Sequence, residues 1–392
     1  MRLSHLSLRS FRNLGDQAFA VPSEGFALVG DNAHGKSNLL EAVYYLETFR
    51  SFRGARDRQL IAFGYPFFRI EGELTSPEPD RGGTRVAAAY ERSTARKKVV
   101  VDGVEVERLG DGIGHVGAVI FSPADITLVS SGPSERRRFL DILLSLNARG
   151  YLDHLQRYRQ ALERRNVALR RGEPPAAVSP WNAPLLRHGS AVTELRLDWV
   201  RTYERSFRAT YEAVSGGASA WMEYRCSFEL PNSPPSAGMA EESPGVFVAA
   251  GPGRGEVAEA FEDALLRSAE RERRRGWTVV GPHRDDVFIG LGSPEEGLDL
   301  RQFGSGGQRR TAALALRLVE GETIRQVRKR APIILMDDVF AELDEGRSER
   351  LLSLLDEQAI GQVLLTAPKD ADIRLRADTL PRWRIRSGEV ST

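Results

Sequence analysis

Cysteine is almost absent: Cys226 stands alone among 392 residues. An intramolecular disulfide and a Cys-rich zinc module are thereby excluded, and the chain suits a reducing compartment. No run approaches the roughly 18 consecutive apolar residues of a membrane-spanning helix. Met1 to Leu8 alternate apolar and polar residues instead of forming an apolar block, so no secretory leader is expected. These absences lead us to expect a cytoplasmic protein without membrane contact. Excess charge is missing too, since 55 Lys plus Arg against 54 Asp plus Glu leave a net +1. That balance argues neither for nor against nucleic acid, because sign can be segregated by region. No internal repeat is visible.

What is present is ample for two or three soluble domains, with 41% hydrophobic and 28% charged residues. Leu3, Leu6, Leu8 and Phe11 start a half-alternating strand, and Gly25 to Val29 reads as a short buried one. Gly30-Asp31-Asn32-Ala33-His34-Gly35-Lys36-Ser37 follows at once, and Asn38 to Leu46 then has helical spacing. Strand, glycine loop and helix together are the context that a P-loop requires. Residues 69–74, 85–90 and 98–103 alternate like an antiparallel meander, and Val116 to Phe121 is one more buried strand. From there the period becomes helical: an amphipathic run opens at Ser134, a plausible N-cap. Tyr151 to Arg171, Ser190 to Val214 and Val257 to Arg275 continue it. Residues 172–184 and 231–255, rich in Pro, Gly and Ser, read as loops. Strand signal resumes at Trp277 to Val280 and returns at Ile333 to Met336 and Val363 to Thr366. The expected architecture is an α/β P-loop ATPase head, a mixed sheet plus an antiparallel meander, split by a mainly helical insertion. Its boundaries are 1–125, 126–275 and 276–392.

Three motifs carry chemistry. In the P-loop the glycines let the backbone curl so that successive N–H groups face phosphate, while Lys36 reaches the β/γ oxygens and the Ser37 hydroxyl binds Mg²⁺. Ile333 to Met336 is an apolar run ending in Asp337-Asp338, and a buried parallel strand delivers carboxylates at its C-terminal edge. Asp337 is expected to hold Mg²⁺ and Asp338 to polarise the attacking water. Ser305-Gly306-Gly307-Gln308 precedes a strong helix former, Thr311 to Leu318, whose free N–H groups and dipole favour an anion.

Taken in order, the P-loop, insertion, Ser-Gly-Gly-Gln, Asp-Asp and Ala341-Glu342-Leu343-Asp344 resemble the ABC-class ATPases of DNA repair whose relatives include the SMC proteins. Within that branch the chain is similar to the RecF family of recombination mediators. The residues carrying this are Phe11 to Leu14, Gly30 to Asn38, Phe121 to Asp125, Ser134 to Asp141, Gly281 to Asp286 and Phe303 to Gln308. The resemblance implies that two protomers sandwich two ATP molecules, with Lys36, Ser37 and Asp337 of one facing Ser305 to Gln308 of the other. It implies Gly30 to Asn38 as the nucleotide contact, Asp344 at the interface, and RecR with RecO as protein partners. It also implies DNA-bound action at gaps or single-strand/duplex junctions in recombinational repair, helping to load recombinase, with weak DNA-dependent hydrolysis as a release switch.

Two departures bear on that switch. Thr366 is followed by Ala367-Pro368 where transporter cassettes carry Thr-His, and Asp338 stands where they carry the longer Glu. Both point to slow turnover. Asp125 is a candidate for the residue linking the head to its arm. An SMC-like structural chromosome ATPase is a rival reading, but the insertion lacks heptads for an extended coiled coil. A transporter cassette is another, and its Thr-His switch is missing.

Between residues 126 and 175 ten Arg face five acids. Arg136, Arg137, Arg138, Arg164 and Arg165 are candidate phosphate contacts, and Arg170-Arg171 extend them. The competing reading is solvated helix faces paired with Glu135, Asp141, Asp153 and Glu163; the resemblance favours DNA. Arg273 to Arg275 read more simply as an exposed helix end, and His283 to Asp286 as a structural loop.

Overall fold

The computed structural model describes residues 1–76, 82–230, 254–357, 361–373 and 379–392. In chain order the elements that matter are β1 (Arg2–Arg9), β2 (Gln17–Ala20), β3 (Gly25–Val29), α1 (Lys36–Thr48), β4 (Phe67–Thr75), β5 (Thr84–Glu91), β6 (Arg96–Val101), β7 (Val104–Glu105) and β8 (Ala118–Phe121). There follow α2 (Pro133–Asn147), α3 (Tyr151–Arg170), α4 (Asn182–Ser215), β9 (Ala220–Arg225), α5 (Arg254–Arg275), β10 (Asp286–Leu291) and β11 (Leu298–Asp299). The chain closes with α6 (Gly306–Arg328), β12 (Ile333–Asp337), α7 (Glu345–Glu357), β13 (Val363–Ala367), β14 (Arg382–Arg386) and β15 (Glu389–Ser391).

The chain forms two compact units, Met1–Asp125 with Leu316–Thr392, and Ile126–Ala315. Re-entry into the first unit falls at Leu316, later than the residue 276 expected from composition. The reason is pairing: β10 runs antiparallel to β9, Asp286 opposite Arg225 through Leu291 opposite Ala220, which ties this stretch to the second unit. Trp277 to Val280 form no strand but a packed turn whose Thr278 bonds Asn166 and Arg165, and strand structure resumes only at β10.

The first unit has two sheets. One is the antiparallel series β2-β1-β4-β5-β6-β7; the other runs β15-β14-β3-β13-β12-β8, with β14, β3, β13, β12 and β8 parallel. Helix α1 packs on both, burying Leu39, Leu40, Val43 and Leu46. Its N-terminus meets the P-loop, so the same helix fills the core and aims its dipole at the site. Phe26 stacks on Trp383 at 3.8 Å between centroids, and Phe11 and Tyr45 meet Phe68 edge-on, each at 5.4 Å. Each such buried side chain contributes about 1.5–3 kcal/mol by leaving water. Two carboxylates of α1 are buried and fully partnered. Glu41 pairs with Arg12 at 2.9 and 3.0 Å, and Glu47 accepts from the N–H groups of Val116 and Gly117 and from Arg328. They fix the start of the chain and the approach to β8 against the P-loop helix.

The second unit packs α3 against α4 around Tyr158, Trp199, Phe207 and Tyr211, with β9, β10 and β11 as a small sheet. The run Gly281 to Asp286 locks this unit. Gly281 has φ 117°, and a Cβ there would come within 2.7 Å of Phe261 and the Tyr158 hydroxyl. His283 accepts from Tyr158 at 2.6 Å, Asp285 accepts from Tyr224 and Ser227, and Asp286 takes a bidentate bond from Arg136. Helix α2 begins at Pro133, one residue before the expected cap Ser134, because proline suits the first helical position. Helix α4 begins at Asn182, earlier than Ser190, since residues 182–189 sit within the loop segment expected from composition only in part.

Candidate nucleotide site

The first unit places three strand ends side by side. In the order β3-β13-β12, Val29 lies opposite Ala367 and Thr366 opposite Asp337. The P-loop leaves the first strand, Thr366 is the penultimate residue of the second, and Asp337 ends the third with Asp338 just beyond it. A parallel sheet thereby gathers, at one edge, residues that the sequence holds about 300 positions apart.

The loop is locally determined. Gly35 has φ 109°, and Ala33 also adopts a left-handed φ of 68°, so the chain curls tightly before α1. Gly30 admits no side chain, because a Cβ would sit 2.5 Å from the Ile385 carbonyl oxygen. A Cβ on Gly35 would meet Asn13 Oδ1 at 2.8 Å and Leu14 at 3.0 Å. This explains why Phe11 to Leu14 belong with the site: their turn walls the P-loop. Asn38 donates to Asn13 at 2.7 Å and accepts from Arg53 at 2.9 Å. His34 does more than offer a backbone N–H. Its carbonyl accepts from Gly388 at 3.0 Å and its Nδ1 from Ser387 at 3.1 Å, pinning the loop to the β14–β15 turn.

The backbone N–H groups of Ala33 to Ser37 meet no protein acceptor among the described residues. Nine-tenths buried, Lys36 folds back into the same hollow, donating to the Gly30 carbonyl at 2.7 Å and to Asp31 O and Asn32 Oδ1 at 3.4 Å. Its ammonium is 3.9 Å from Asp338. Free N–H groups around one ammonium form a cradle for phosphate. Beside it the Ser37 hydroxyl donates to Asp337 Oδ1 at 2.7 Å. A hydroxyl and a carboxylate at that spacing are oxygen donors suited to Mg²⁺. Burial lifts the Asp337 carboxyl above the usual range; the Ser37 and Thr366 hydroxyls work against this and the Asp338 charge adds to it.

Thr366 was assigned no site role from the sequence. Its buried hydroxyl lies 3.1 Å from Asp337 Oδ1 and 3.3 Å from Asp338 Oδ1, and it accepts from the Asp338 N–H at 3.0 Å. Asp338 itself has φ 48°, a left-handed conformation that needs such support. The only signal that could have found Thr366 was its place at the end of an apolar run. Asp125 accepts from Arg317 at 2.7 and 3.1 Å and from the Ser122 N–H at 2.7 Å. It is held within the first unit, and Arg317 also bonds Glu320. Asp344 caps α7, accepting from the Arg347 N–H at 2.9 Å.

In the second unit, Ser305 to Gln308 open α6. The Ser305 N–H donates to Gln308 Oε1 at 2.8 Å and the Gln308 N–H to Ser305 Oγ at 3.2 Å, a reciprocal cap that shapes the turn. Ser305 and Gly306 are exposed, and neighbouring Phe303 is 65% exposed.

The candidate arginines divide. Arg136 is buried and held by Asp286 and the carbonyls of Val129 and Ser131. Arg165 is buried against Glu272, Asn182 and Thr278. Neither can reach a phosphate. Arg137 donates to the Asp285 carbonyl at 2.7 Å. Arg138 and Arg164 are exposed.

Comparison with known proteins agrees with this geometry. The model of the RecF/RecN/SMC N terminal domain matches residues 2–388. The DNA replication and repair protein RecF of Geobacter sp. (strain M21) is 34% identical, with 100% of each chain covered. That of Salinibacter ruber is 34% identical over 94% of this chain and 85% of the relative. Among solved structures, the recombination mediator protein RecF-ATP in the RecFOR pathway superposes with a TM-score of 0.84 at 28% identity, covering 100% of this chain and 97% of that one. An Smc head bound to the C-terminal winged-helix domain of ScpA shares the fold, with a TM-score of 0.54 at 17% identity over 100% of this chain and 96% of that one. The α/β head of ABC-type ATPases, carrying in order a P-loop, a Ser-Gly-Gly-Gln turn and paired aspartates, therefore has its place: the chain belongs to the RecF family of DNA replication and repair proteins.

Proposed function

We propose that the chain is an ATP-switched, DNA-binding dimer of recombinational repair. The observation that carries the ATP switch is the contact of Ser37 with Asp337 beside Lys36, flanked by unpartnered loop N–H groups, and membership of the RecF family supports the DNA-repair part. Lys36 and Gly30 to Asn38 bind the phosphates, Ser37 and Asp337 hold Mg²⁺, and Asp338 orients and deprotonates the attacking water. Mg²⁺, when bound, neutralises charge on the β- and γ-phosphates. The capped, solvent-facing turn Ser305 to Gln308 supplies N–H groups to the γ-phosphate of a second protomer. ATP is thus shared between two chains, and its hydrolysis removes contacts that only the dimer makes. The dimer engages single-strand/duplex junctions or gaps and helps load recombinase, with RecR and RecO as partners. No helix among the described residues is long and apolar enough to cross a membrane. Against a transporter cassette stands Ala367-Pro368 after Thr366, where such cassettes carry His. Helix α4, the longest at 34 residues, packs within its unit instead of extending as a coiled coil, which favours this reading over a structural chromosome ATPase.

Sedimentation with and without ATP tests the switch. Wild type dimerises only with ATP, Lys36→Ala neither binds ATP nor dimerises, and Ser305→Arg binds ATP yet stays monomeric. A Ser305→Arg protein that still dimerises sinks the shared-ATP model. Binding to gapped, single-stranded and uninterrupted duplex DNA over a salt series tests the DNA reading.

A further inference from the structure

The second unit carries its arginines unevenly. At the C-terminal end of α3, Arg164, Arg170 and Arg171 are exposed; at the C-terminal end of α5, so are Arg271, Arg273, Arg274 and Arg275. The fold joins the two groups. Buried Arg165 forms an ion pair with Glu272 and donates to the Thr278 hydroxyl, each at 2.7 Å. Asn166 accepts from both the N–H and the hydroxyl of Thr278 at 2.8 Å, across 112 residues of sequence. A Cβ on Gly276 would lie 3.6 Å from the Arg170 Cα, so the chain leaving α5 runs against the last turn of α3. Two helix ends, each crowded with arginine, therefore share one corner of this unit. Trp277, 42% exposed, directly follows Gly276.

Local pairing does not account for the charge. Arg171 approaches Glu173 at 3.8 Å and Arg274 approaches Glu270 at 3.2 Å, both exposed pairs of the kind that contribute little. The exposed Glu163 is the remaining acid of these helix ends. Arg164, Arg170, Arg271, Arg273 and Arg275 have no ion pair among the described residues. Cations at a helix C-terminus complement its dipole, but one or two per end suffice for that. Seven guanidiniums at two adjoining ends, with an exposed indole, match a phosphate backbone with an accessible base face.

We propose that this corner binds the sugar–phosphate backbone of DNA and that Trp277 stacks on a base where the strands part. The proposal rests on the DNA-binding reading and names the surface that performs it. It also replaces Arg136 and Arg165, which are buried, with residues that can reach a phosphate.

The test uses the full-length protein with ATP and fluorescently labelled gapped and uninterrupted duplexes, read by anisotropy from about 50 to 300 mM salt. The triple variant Arg170→Glu/Arg171→Glu/Arg273→Glu is compared with Arg201→Glu/Arg205→Glu. The latter pair lies roughly 30 Å along α4 from Asn182, which meets Arg165. Loss of three phosphate contacts lowers the slope of log K against log salt by about 2.7 and weakens binding at low salt at least about tenfold. The α4 variant keeps the wild-type slope. Trp277→Ala loses the preference for the gapped duplex and part of the DNA-induced quenching of tryptophan emission, whereas Trp277→Phe keeps the preference. A triple variant with wild-type slope and affinity overturns the proposal, including the outcome in which this corner serves an acidic protein. Wild type that binds none of the duplexes instead overturns the DNA reading itself. All substituted side chains are exposed, and thermal melting confirms that each variant is folded.

Discussion

Replacing Thr366 with valine removes one hydroxyl and leaves the shape of a buried side chain unchanged, so no cavity term enters. The hydroxyl accepts from the Asp338 N–H at 3.0 Å and lies within donating distance of Asp337 and Asp338. A hydrogen bond to a charged group contributes about 1.5–3 kcal/mol net and a neutral one about 0.5–1.5 kcal/mol. We expect Thr366→Val to destabilise the nucleotide-free head by about 2–3 kcal/mol, a fall in Tm of roughly 5–10 °C for a unit of this size. Turnover suffers separately. Asp338 is held at φ 48° partly by this bond, and releasing it lets the water-orienting carboxylate wander. A loss of about 1.4 kcal/mol of transition-state stabilisation corresponds to a tenfold fall in kcat. The assays are differential scanning calorimetry without nucleotide and steady-state phosphate release with saturating ATP. Thr366→Ser, which keeps the hydroxyl, should recover most of both. If Thr366→Val melts within a degree of wild type and turns over normally, the three-strand account of this site is wrong.

Asp338→Asn keeps a residue that tolerates the left-handed backbone but cannot take a proton, so it should form a long-lived ATP dimer with turnover reduced at least about a hundredfold; wild-type phosphate release would refute the base assignment. Burial pushes the His283 imidazole down to about 4, opposed by its bond to the Thr278 carbonyl and helped by nearby arginines. With the folded value depressed below the usual 6.5, the stability it confers is present above about pH 6.5 and lost as pH falls towards 4. Melting of the second unit should therefore weaken by about 2–3 kcal/mol over that window, and His283→Gln should flatten the profile; an unchanged profile removes His283 as its source. Arg196 is buried and bonds Asp141, the Tyr151 and Tyr224 hydroxyls and the Pro282 carbonyl. Arg196→Met strands these groups and should cost the second unit about 3–5 kcal/mol in urea unfolding, with Arg196→Lys recovering little because an ammonium lacks the fork; full recovery by lysine would refute the argument.

How far the sequence could be read follows from where each property resides. The P-loop was legible because its geometry belongs to consecutive residues: Gly35 must adopt φ 109°, and the following helix presents free N–H groups whatever the rest of the chain does. The buried strand before Asp337-Asp338 was legible for the same reason, as was the helix opening after Ser305 to Gln308, whereas the reciprocal Ser305–Gln308 cap was not. The antiparallel meander of β4, β5 and β6 showed itself through a period of two. Strand signal at Trp277 to Val280 misled, because apolar β-branched residues there serve a packed turn whose Thr278 bonds Asn166 and Arg165.

Charge was the property the sequence expressed least faithfully. Arg136 and Arg137 look alike in a basic run, yet Arg136 is closed off by Asp286, a partner 150 residues away. Arg164 and Arg165 are neighbours, but a helix turns successive residues by about 100°, so one faces solvent and the other Glu272. The role of Thr366 exists only because β13 lies between β3 and β12. The sequence by itself determined that a phosphate-binding loop, a pair of carboxylates and a Ser-Gly-Gly-Gln turn before a helix are present, since backbone conformation and hydropathy period are local. Only the tertiary structure decided which carboxylate meets which hydroxyl and which arginines stay free, because those depend on contacts between residues far apart in the chain.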